Sequence, residues 1–307
     1  MSLPGQADQP FDFPDPSVIQ VDGVYYGYAT GSSTFGFSTV PVVRSTDLQH
    51  WTYAGEGLPG GTNGWADLFA FTWAPSVTRH GNNFLMYYAA RDRASGQQCV
   101  GVATSTTGPE GPFVDASNAP LLCQHDRGGT IDPDAFTDGD GQPYLLFKSE
   151  ATPSEPTRIW SAALAADGLS LVGSAHELLV TSYAWEQPII EAPALLHDEH
   201  GYTLFYSASD WASARYSVGA ARCDGPLGPC SRIYSTPLVA NRGWMIGPGG
   251  ASVSADANGN PLLVFHAWAY PWVGYAGPDH PGYPTGEGRR SLRFLPVTWQ
   301  NGLPVAG

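Results

Sequence analysis

One layout recurs about every 58 residues along this chain. Each of five segments contains an apolar strand, a short turn and a second strand rich in aromatic residues. The turns, such as Asp22-Gly23 and Asn258-Gly259, have the composition of tight β-hairpins. The residues that open the five segments are spaced by 59, 58, 60 and 58 positions: Pro16, Pro75, Pro133, Pro193 and Ala251.

A third strand follows each hairpin, and room for a fourth remains before the next segment begins. Five four-stranded units at this period predict an all-β fold, a five-bladed β-propeller with four antiparallel strands per blade. A sandwich of similar strands would not explain the even spacing. No linker is evident, so we predict a single domain over residues 1–307, with blades that begin near residues 15, 74, 132, 191 and 250.

The composition narrows the choice of partner. Hydrophobic residues make up 42% of the 307 and aromatic residues 12%, which supports a packed core despite 37 glycines and 27 prolines. The formal net charge is −14, with a single lysine, Lys148, so the surface repels phosphate backbones and nucleic acid is not expected to bind. No apolar run approaches the roughly 20 residues of a membrane span, so a membrane is not expected as a partner either.

Four cysteines lack the spacing of a zinc site. Cys223 and Cys230 bracket a short loop rich in glycine and proline, which suits a local disulfide and leaves Cys99 to pair with Cys123. Paired cysteines indicate an oxidising compartment and therefore secretion, the alternative being buried thiols in a cytosolic protein. The first residues do not begin a signal peptide, so a secreted protein would have lost its signal.

Three acids fall at the start of repeat units. Asp15 and Asp132 directly precede the anchoring proline of their units, and Glu191 lies two residues before its own. In the second unit Trp73 takes the position that corresponds to Glu191. In a propeller such positions converge at one end of the channel, so we expect these side chains to surround one pocket. The alternatives are acids that merely start strands and a core tryptophan. Crowded carboxylates raise the pKa of at least one member, and glycoside hydrolysis needs one protonated and one ionised carboxyl group.

Other chemistries find less support. The G-x-S-x-G elbow of serine esterases, the P-loop and the dinucleotide fingerprint are all missing from the sequence. Residues 132–141 are similar to a calcium loop but lack its final glutamate. His266, which we place on the inner strand of the fifth unit, is either a core histidine or a group on the channel axis near a metal or water.

The motifs "FPDPSVI", "TIDPDAF" and "IIEAPALL", in that order over five repeats, resemble those of glycoside hydrolase family 43. The resemblance spans essentially the whole chain. It implies a five-bladed propeller that cleaves pentose-containing polysaccharides with inversion. By this resemblance Asp15 is the general base that activates water, Asp132 orients the general acid and tunes its pKa, and Glu191 is the general acid.

The same resemblance extends to groups around the acids. His266 resembles a histidine near the channel centre that is associated through water with a bound calcium, so one structural Ca²⁺ and no organic cofactor are expected. Arg290, beside Arg289, resembles the arginine that contacts the bound sugar. Trp73 and Phe35 resemble aromatic residues that flank the terminal sugar subsite.

We therefore expect a secreted, monomeric, exo-acting inverting hydrolase, an α-L-arabinofuranosidase or β-xylosidase. It would release terminal pentose from arabinoxylan, arabinan or xylo-oligosaccharides. Residues 205–223 are similar to fourth-blade segments of exo-acting arabinofuranosidases, and the extra C-terminal sandwich of many β-xylosidases is not in this sequence. The alternatives are an endo-1,5-α-L-arabinanase, which needs an open groove, and a sugar-binding propeller without catalysis, which would be expected to lack one acid.

Overall fold

The computed structural model describes residues 11–31, 38–60, 64–67, 72–278, 280–284 and 288–307. The first blade contains β1 (Ser17–Val21), β2 (Val24–Tyr28), β3 (Pro41–Ser45) and β4 (Thr52–Glu56). The second contains β5 (Trp73–His80), β6 (Asn83–Arg91) and β7 (Gln98–Ser105). The third contains β8 (Thr130–Thr137), β9 (Pro143–Ser149), β10 (Arg158–Leu164) and β11 (Leu171–Val180).

The fourth blade contains β12 (Ile190–Asp198), β13 (Gly201–Ala208), β14 (Ser217–Cys223) and β15 (Cys230–Arg232). The fifth contains β16 (Met245–Ala255), β17 (Pro261–Ala269), β18 (Arg290–Gln300) and β19 (Leu303–Ala306). The helices of the described residues are two single 3₁₀ turns, His125–Arg127 and Ala184–Glu186. None of the helices in the described ranges is long and apolar enough to cross a membrane.

The predicted five-bladed propeller is confirmed. In each sheet the strands pair in chain order and antiparallel, and the innermost strand of each blade contacts those of its two neighbours, which closes a ring. In the second blade the outer edge is held by two isolated bridges to β7, Val100 with Leu122 and Thr104 with Val114. The propeller thus brings the starts of all five inner strands to one face, which we call the mouth.

Each blade packs against two neighbours, so its central strands are apolar on both faces. Leu204 on β13 belongs to the core cluster shared with the third blade, whereas the next residue, Phe205, belongs to the cluster shared with the fifth. Successive side chains of a strand point to opposite faces, so both must be hydrophobic. This explains the unbroken apolar runs that follow each hairpin turn in the sequence.

The ring closes between the fifth and first blades, and within the described residues no strand is shared between them. Phe13 N donates to Arg290 O at 2.8 Å, and Ser252 Oγ donates to Pro16 O at 2.6 Å. A buried cluster that includes Phe13 and Phe294 fills this interface. We call the contact between the fifth and first blades the seam.

Both predicted disulfides are present. Cys99 pairs with Cys123, and Cys223 pairs with Cys230, which faces it across β14 and β15. The first ties the third strand of the second blade to the segment that leads into the third blade.

Candidate active site

The residue before the anchoring position adopts a left-handed backbone conformation in every blade. The φ angles are 50°, 44°, 52°, 48° and 60° for Asp15, Ala74, Asp132, Ala192 and Gly250. In four blades the pairing with the second strand shifts register at this point. Left-handed residues other than glycine are uncommon and concentrate at functional sites, and a bulge re-aims the side chains around it. The same distortion therefore shapes the mouth in all five blades.

The three acids do not occupy one strand position. Asp15 and Asp132 are the left-handed residues of their blades. Glu191 lies one residue earlier, at the position that Trp73 takes in the second blade, and Ala192 is the left-handed residue of the fourth. The side chains of two acids therefore come from the left-handed residue itself, and the side chain of the third comes from the residue just before it.

Asp15 is held by groups of the first and fifth blades, and the second blade is linked to it through Thr30. Thr30 Oγ1 donates to Asp15 Oδ2 at 2.6 Å and accepts the N–H of Ala74 at 2.8 Å. Arg290 Nη1 lies 3.7 Å from the same Oδ2, and the backbone N–H of Asp15 donates to His266 Nδ1 at 3.0 Å. These contacts fix the carboxylate at the mouth of the channel.

Arg290 is the arginine that reaches the site, and it is buried at the start of β18. Its Nε and Nη2 donate to the Tyr275 hydroxyl at 2.9 and 2.7 Å, and that hydroxyl donates to Asp12 Oδ2 at 3.0 Å. The guanidinium lies 4.6 Å from the centre of the Trp211 ring. A cation in this position is oriented by ring and hydroxyl partners and faces Asp15 across the seam.

Glu191 is buried and hydrogen-bonded through both oxygens. Lys148 Nζ donates to Oε2 at 2.9 Å, and the Tyr216 hydroxyl donates to Oε1 at 2.8 Å. Lys148 is itself buried and lies 3.0 Å from Glu150 Oε2. Because a buried charge needs a partner, this pair fixes the position of Glu191 more than it stabilises the fold.

Asp132 is a carboxyl group with an altered proton affinity. Burial raises its pKa well above the ordinary value, and the negative charge of Glu191 raises it further, against the opposing charge of Lys148. The N–H of Ala192 donates to Asp132 Oδ2 at 2.9 Å. Neighbouring carboxyl groups whose pKa values are pushed apart are the arrangement that acid–base catalysis requires.

Two glycines make room for these groups. A Cβ on Gly250 would lie 2.6 Å from both Asp15 Oδ1 and His266 Nδ1, and one on Gly249 would lie 2.0 Å from Tyr216 Cε1. Both contacts are shorter than real Cβ atoms show. The glycine-rich start of β16 is therefore explained by the side chains that pack on it.

His266 lies on β17, the second strand of its blade, and not on the innermost strand where the sequence analysis placed it. It is fully buried, and burial followed by the charge of Arg290 lowers its pKa well below the ordinary value. Because Nδ1 accepts the N–H of Asp15, the ring proton is assigned to Nε2, which has no hydrogen-bond partner in the described part of the chain.

The fit of this position to calcium follows from that assignment. A protonated Nε2 cannot be a metal ligand, and calcium prefers oxygen. In this arrangement His266 fits a water that accepts from Nε2, and does not fit a directly bound ion. Within the described ranges, the acids, histidines and cysteines close enough to hold a metal are Cys99, Cys123 and His125, of which the cysteines form a disulfide. The calcium site stays a prediction.

The remaining predicted residues are aromatic. Trp73 is the first residue of β5, half-buried, at the mouth. Phe35 lies outside the described residues. Below the acids, the channel wall carries the bulge prolines and the next residues of four strands: Ser17, Ser76, Asp134 and Ser252.

Sequence reasoning missed the groups that hold the acids in place. Thr30, Tyr216 and Tyr275 follow no motif that would have indicated contact with them. Lys148 did carry a signal, because the only lysine of the chain stands at the end of an apolar strand, where a charge requires a partner.

Comparison with known proteins gives concordant matches. The family model for Glycosyl hydrolases family 43 matches residues 9–304. A probable arabinan endo-1,5-alpha-L-arabinosidase A of Aspergillus flavus is 26% identical over 294 residues, which cover 89% of this chain and 87% of that protein. An extracellular endo-alpha-(1->5)-L-arabinanase 1 of Bacillus subtilis is 23% identical over 269 residues, covering 83% and 79%. The crystal structure of a thermostable family-43 glycoside hydrolase has a TM-score of 0.80 at 28% identity, covering 99% of this chain and 94% of that one.

These relatives overturn one expectation. The prediction of an exo-acting arabinofuranosidase or β-xylosidase is wrong, because the curated relatives described above are named as endo-acting arabinan hydrolases. That prediction depended on the similarity of residues 205–223 to segments of exo-acting arabinofuranosidases. That similarity does not report whether the mouth loops leave a pocket or a groove.

Proposed function

The chain belongs to Glycosyl hydrolases family 43, and from this premise we propose that it is an endo-1,5-α-L-arabinanase, which cleaves internal linkages of arabinan. The names of its curated relatives support this proposal most directly. The site supports it with a carboxylate at Asp15, a second carboxyl at Glu191 and an intervening acid, Asp132, of raised pKa.

We assign the roles by the chemistry of inversion. Asp15 accepts a proton from a water whose oxygen attacks the anomeric carbon. The bond from that carbon to the bridging oxygen breaks, and this oxygen takes a proton from Glu191, so the step starts from the form of the enzyme in which Glu191 has first bound a proton. Asp132, held by the N–H of Ala192, is a positioning residue for Glu191, and Arg290 binds the sugar hydroxyls beside Asp15.

The products of linear 1,5-α-arabinan test this function. We expect a spread of arabino-oligosaccharides early in the reaction and a rapid fall in viscosity, because internal cleavage shortens the polymer at once. Glu191→Gln and Asp15→Asn should each lower the rate by at least about a thousandfold, roughly 4 kcal/mol of barrier, with an unchanged circular dichroism spectrum. Arabinose as the sole product, or near-normal rates in either variant, would contradict the proposal.

Secretion belongs to the same proposal. The Bacillus subtilis relative is named as extracellular, and the two disulfides suit an oxidising compartment. A polymeric substrate outside the cell requires such a location.

A further inference from the structure

Exposed aromatic side chains concentrate on one side of the mouth. Of the described residues, five aromatic side chains are more than a third exposed, and four of these lie on the fourth and fifth blades. They are Trp211 (37% exposed), Trp244 (40%), Tyr270 (68%) and Tyr275 (39%). We call these four residues the blade 4–5 rim. Single exposed aromatic residues are ordinary, but a cluster beside a catalytic pocket marks a binding surface.

The topology places the rim on the mouth face. Trp211 lies between β13 and β14, and Trp244 directly precedes β16. Tyr270 and Tyr275 lie between β17 and β18. These connections reach the same face as the starts of the inner strands, where Asp15 and Glu191 lie.

Direct contacts join the rim to the catalytic groups. The Trp211 and Tyr275 ring centres are 6.1 Å apart, and Arg290 lies over both. The N–H of Tyr270 donates to Trp244 O at 3.0 Å, which ties the outer part of the rim to β16. Because Arg290 is also 3.7 Å from Asp15, the rim is continuous with the pocket.

The charge of this surface limits what it can bind. The described residues of the three rim segments (209–216, 240–244 and 270–278) include one acid and two arginines: Asp210, Arg215 and Arg242. The whole chain carries a net charge of −14, so long-range repulsion disfavours a polyuronate. Flat aromatic faces with few charges suit a neutral sugar chain.

We propose that the blade 4–5 rim is an aromatic platform that binds the part of the arabinan chain that extends beyond the catalytic pocket. Trp73 lies across the ring on the second blade. This inference rests on the proposed function, because it takes arabinan as the polymer.

Chain-length dependence tests the platform. We expect Tyr270→Ala combined with Trp244→Ala to lower the ratio of kcat/KM for arabinohexaose to kcat/KM for arabinotriose by about tenfold, the effect of about 1.4 kcal/mol of lost transition-state binding. Tyr270→Ala alone, which removes the most exposed ring, should lower the ratio in the same direction. Tyr53→Ala on β4 removes an exposed ring away from the mouth and should leave the ratio at its wild-type value.

An unchanged ratio in the double variant would overturn the platform, whether kcat/KM stays at its wild-type value or falls equally for both substrates. Affinity electrophoresis of Glu191→Gln in gels that contain linear arabinan separates this failure from failure of the proposed function. If the wild type hydrolyses no arabinan, retardation that the rim substitutions abolish still supports the platform. If Glu191→Gln is not retarded, or is retarded equally with and without the rim substitutions, the platform is refuted.

Discussion

The Thr30 hydroxyl controls one oxygen of Asp15. It donates to Oδ2 and accepts the N–H of Ala74, so one atom couples the candidate base to the second blade. Loss of this hydroxyl frees the carboxylate to rotate and leaves a backbone N–H without its acceptor, at a cost of roughly 1–3 kcal/mol.

We therefore expect Thr30→Val to lower kcat for linear arabinan about 10- to 100-fold, with a smaller change in KM, because misplacement of a base by a fraction of an ångström slows the reacting step. Thr30→Ser keeps the hydroxyl and should retain most of the wild-type kcat. Equal losses in the two variants would show that the methyl group, and not the hydrogen bond, matters at this position.

At the residue scale the sequence predicted the acids better than their surroundings. Asp15, Asp132 and Glu191 follow repeat positions, so their convergence was predictable. Thr30 and Tyr216 act through contacts that span 15 and 25 residues, across a bend that only tertiary structure defines. The placement of His266 on the inner strand was wrong because His266 follows the hairpin turn at Asn258-Gly259, which ends the inner strand β16 and begins β17.

At the scale of the element, the bulge at the start of β16 brings the backbone close to the catalytic groups. Gly250 has a φ of +60°, and its Cα faces Asp15 Oδ1 and His266 Nδ1. An alanine here would be strained and would also push both groups away.

We expect Gly250→Ala to lower kcat/KM for arabinan at least about a hundredfold, equivalent to roughly 2.7 kcal/mol. Gly259→Ala is the matched control, because Gly259 also has a positive φ, +82°, but a Cβ added there would meet nothing within 4 Å. That variant should lose stability alone, as measured by its melting temperature. Equal kcat/KM values in the two variants would refute the argument from crowding.

Strand positions were predictable and bulges were not. The strands follow hydrophobic runs and turn residues, which are local signals. The left-handed conformation before each anchoring position depends on how the five blades pack around the ring, which is not a local signal. Ala74 and Ala192 have a positive φ although alanine does not favour one. The outer edge of the second blade likewise differs from the four-strand pattern, since isolated bridges take the place of a strand.

At the scale of the molecule, hydrogen bonds around the channel join successive blades. Val77 N donates to Ser17 Oγ, and Ala135 N donates to Ser76 Oγ. The next link uses a carboxyl group, Asp134, which accepts from Leu195 N. Burial raises the pKa of Asp134 to about 7, against these hydrogen bonds.

The folded protein therefore binds a proton at Asp134 that the unfolded chain releases near pH 3.8. The contribution of this group to stability is fully present below about pH 4 and is lost as pH rises to about 7. We expect Asp134→Asn to gain stability relative to the wild type between about pH 5 and about pH 7.5, as measured by urea unfolding at both values. A difference between the two proteins that does not change with pH would contradict this assignment.

The seam is the junction at which the ring of blades can open most easily. In the described part of the chain its two edges meet through side chains and a few backbone contacts, whereas at every other junction the chain itself also runs from one blade to the next. Arg290 and Asp15 stand on opposite edges of the seam. A sugar that contacts both Arg290 and Asp15 links the fifth blade to the first, so a bound substrate stabilises the closed ring against opening at the seam.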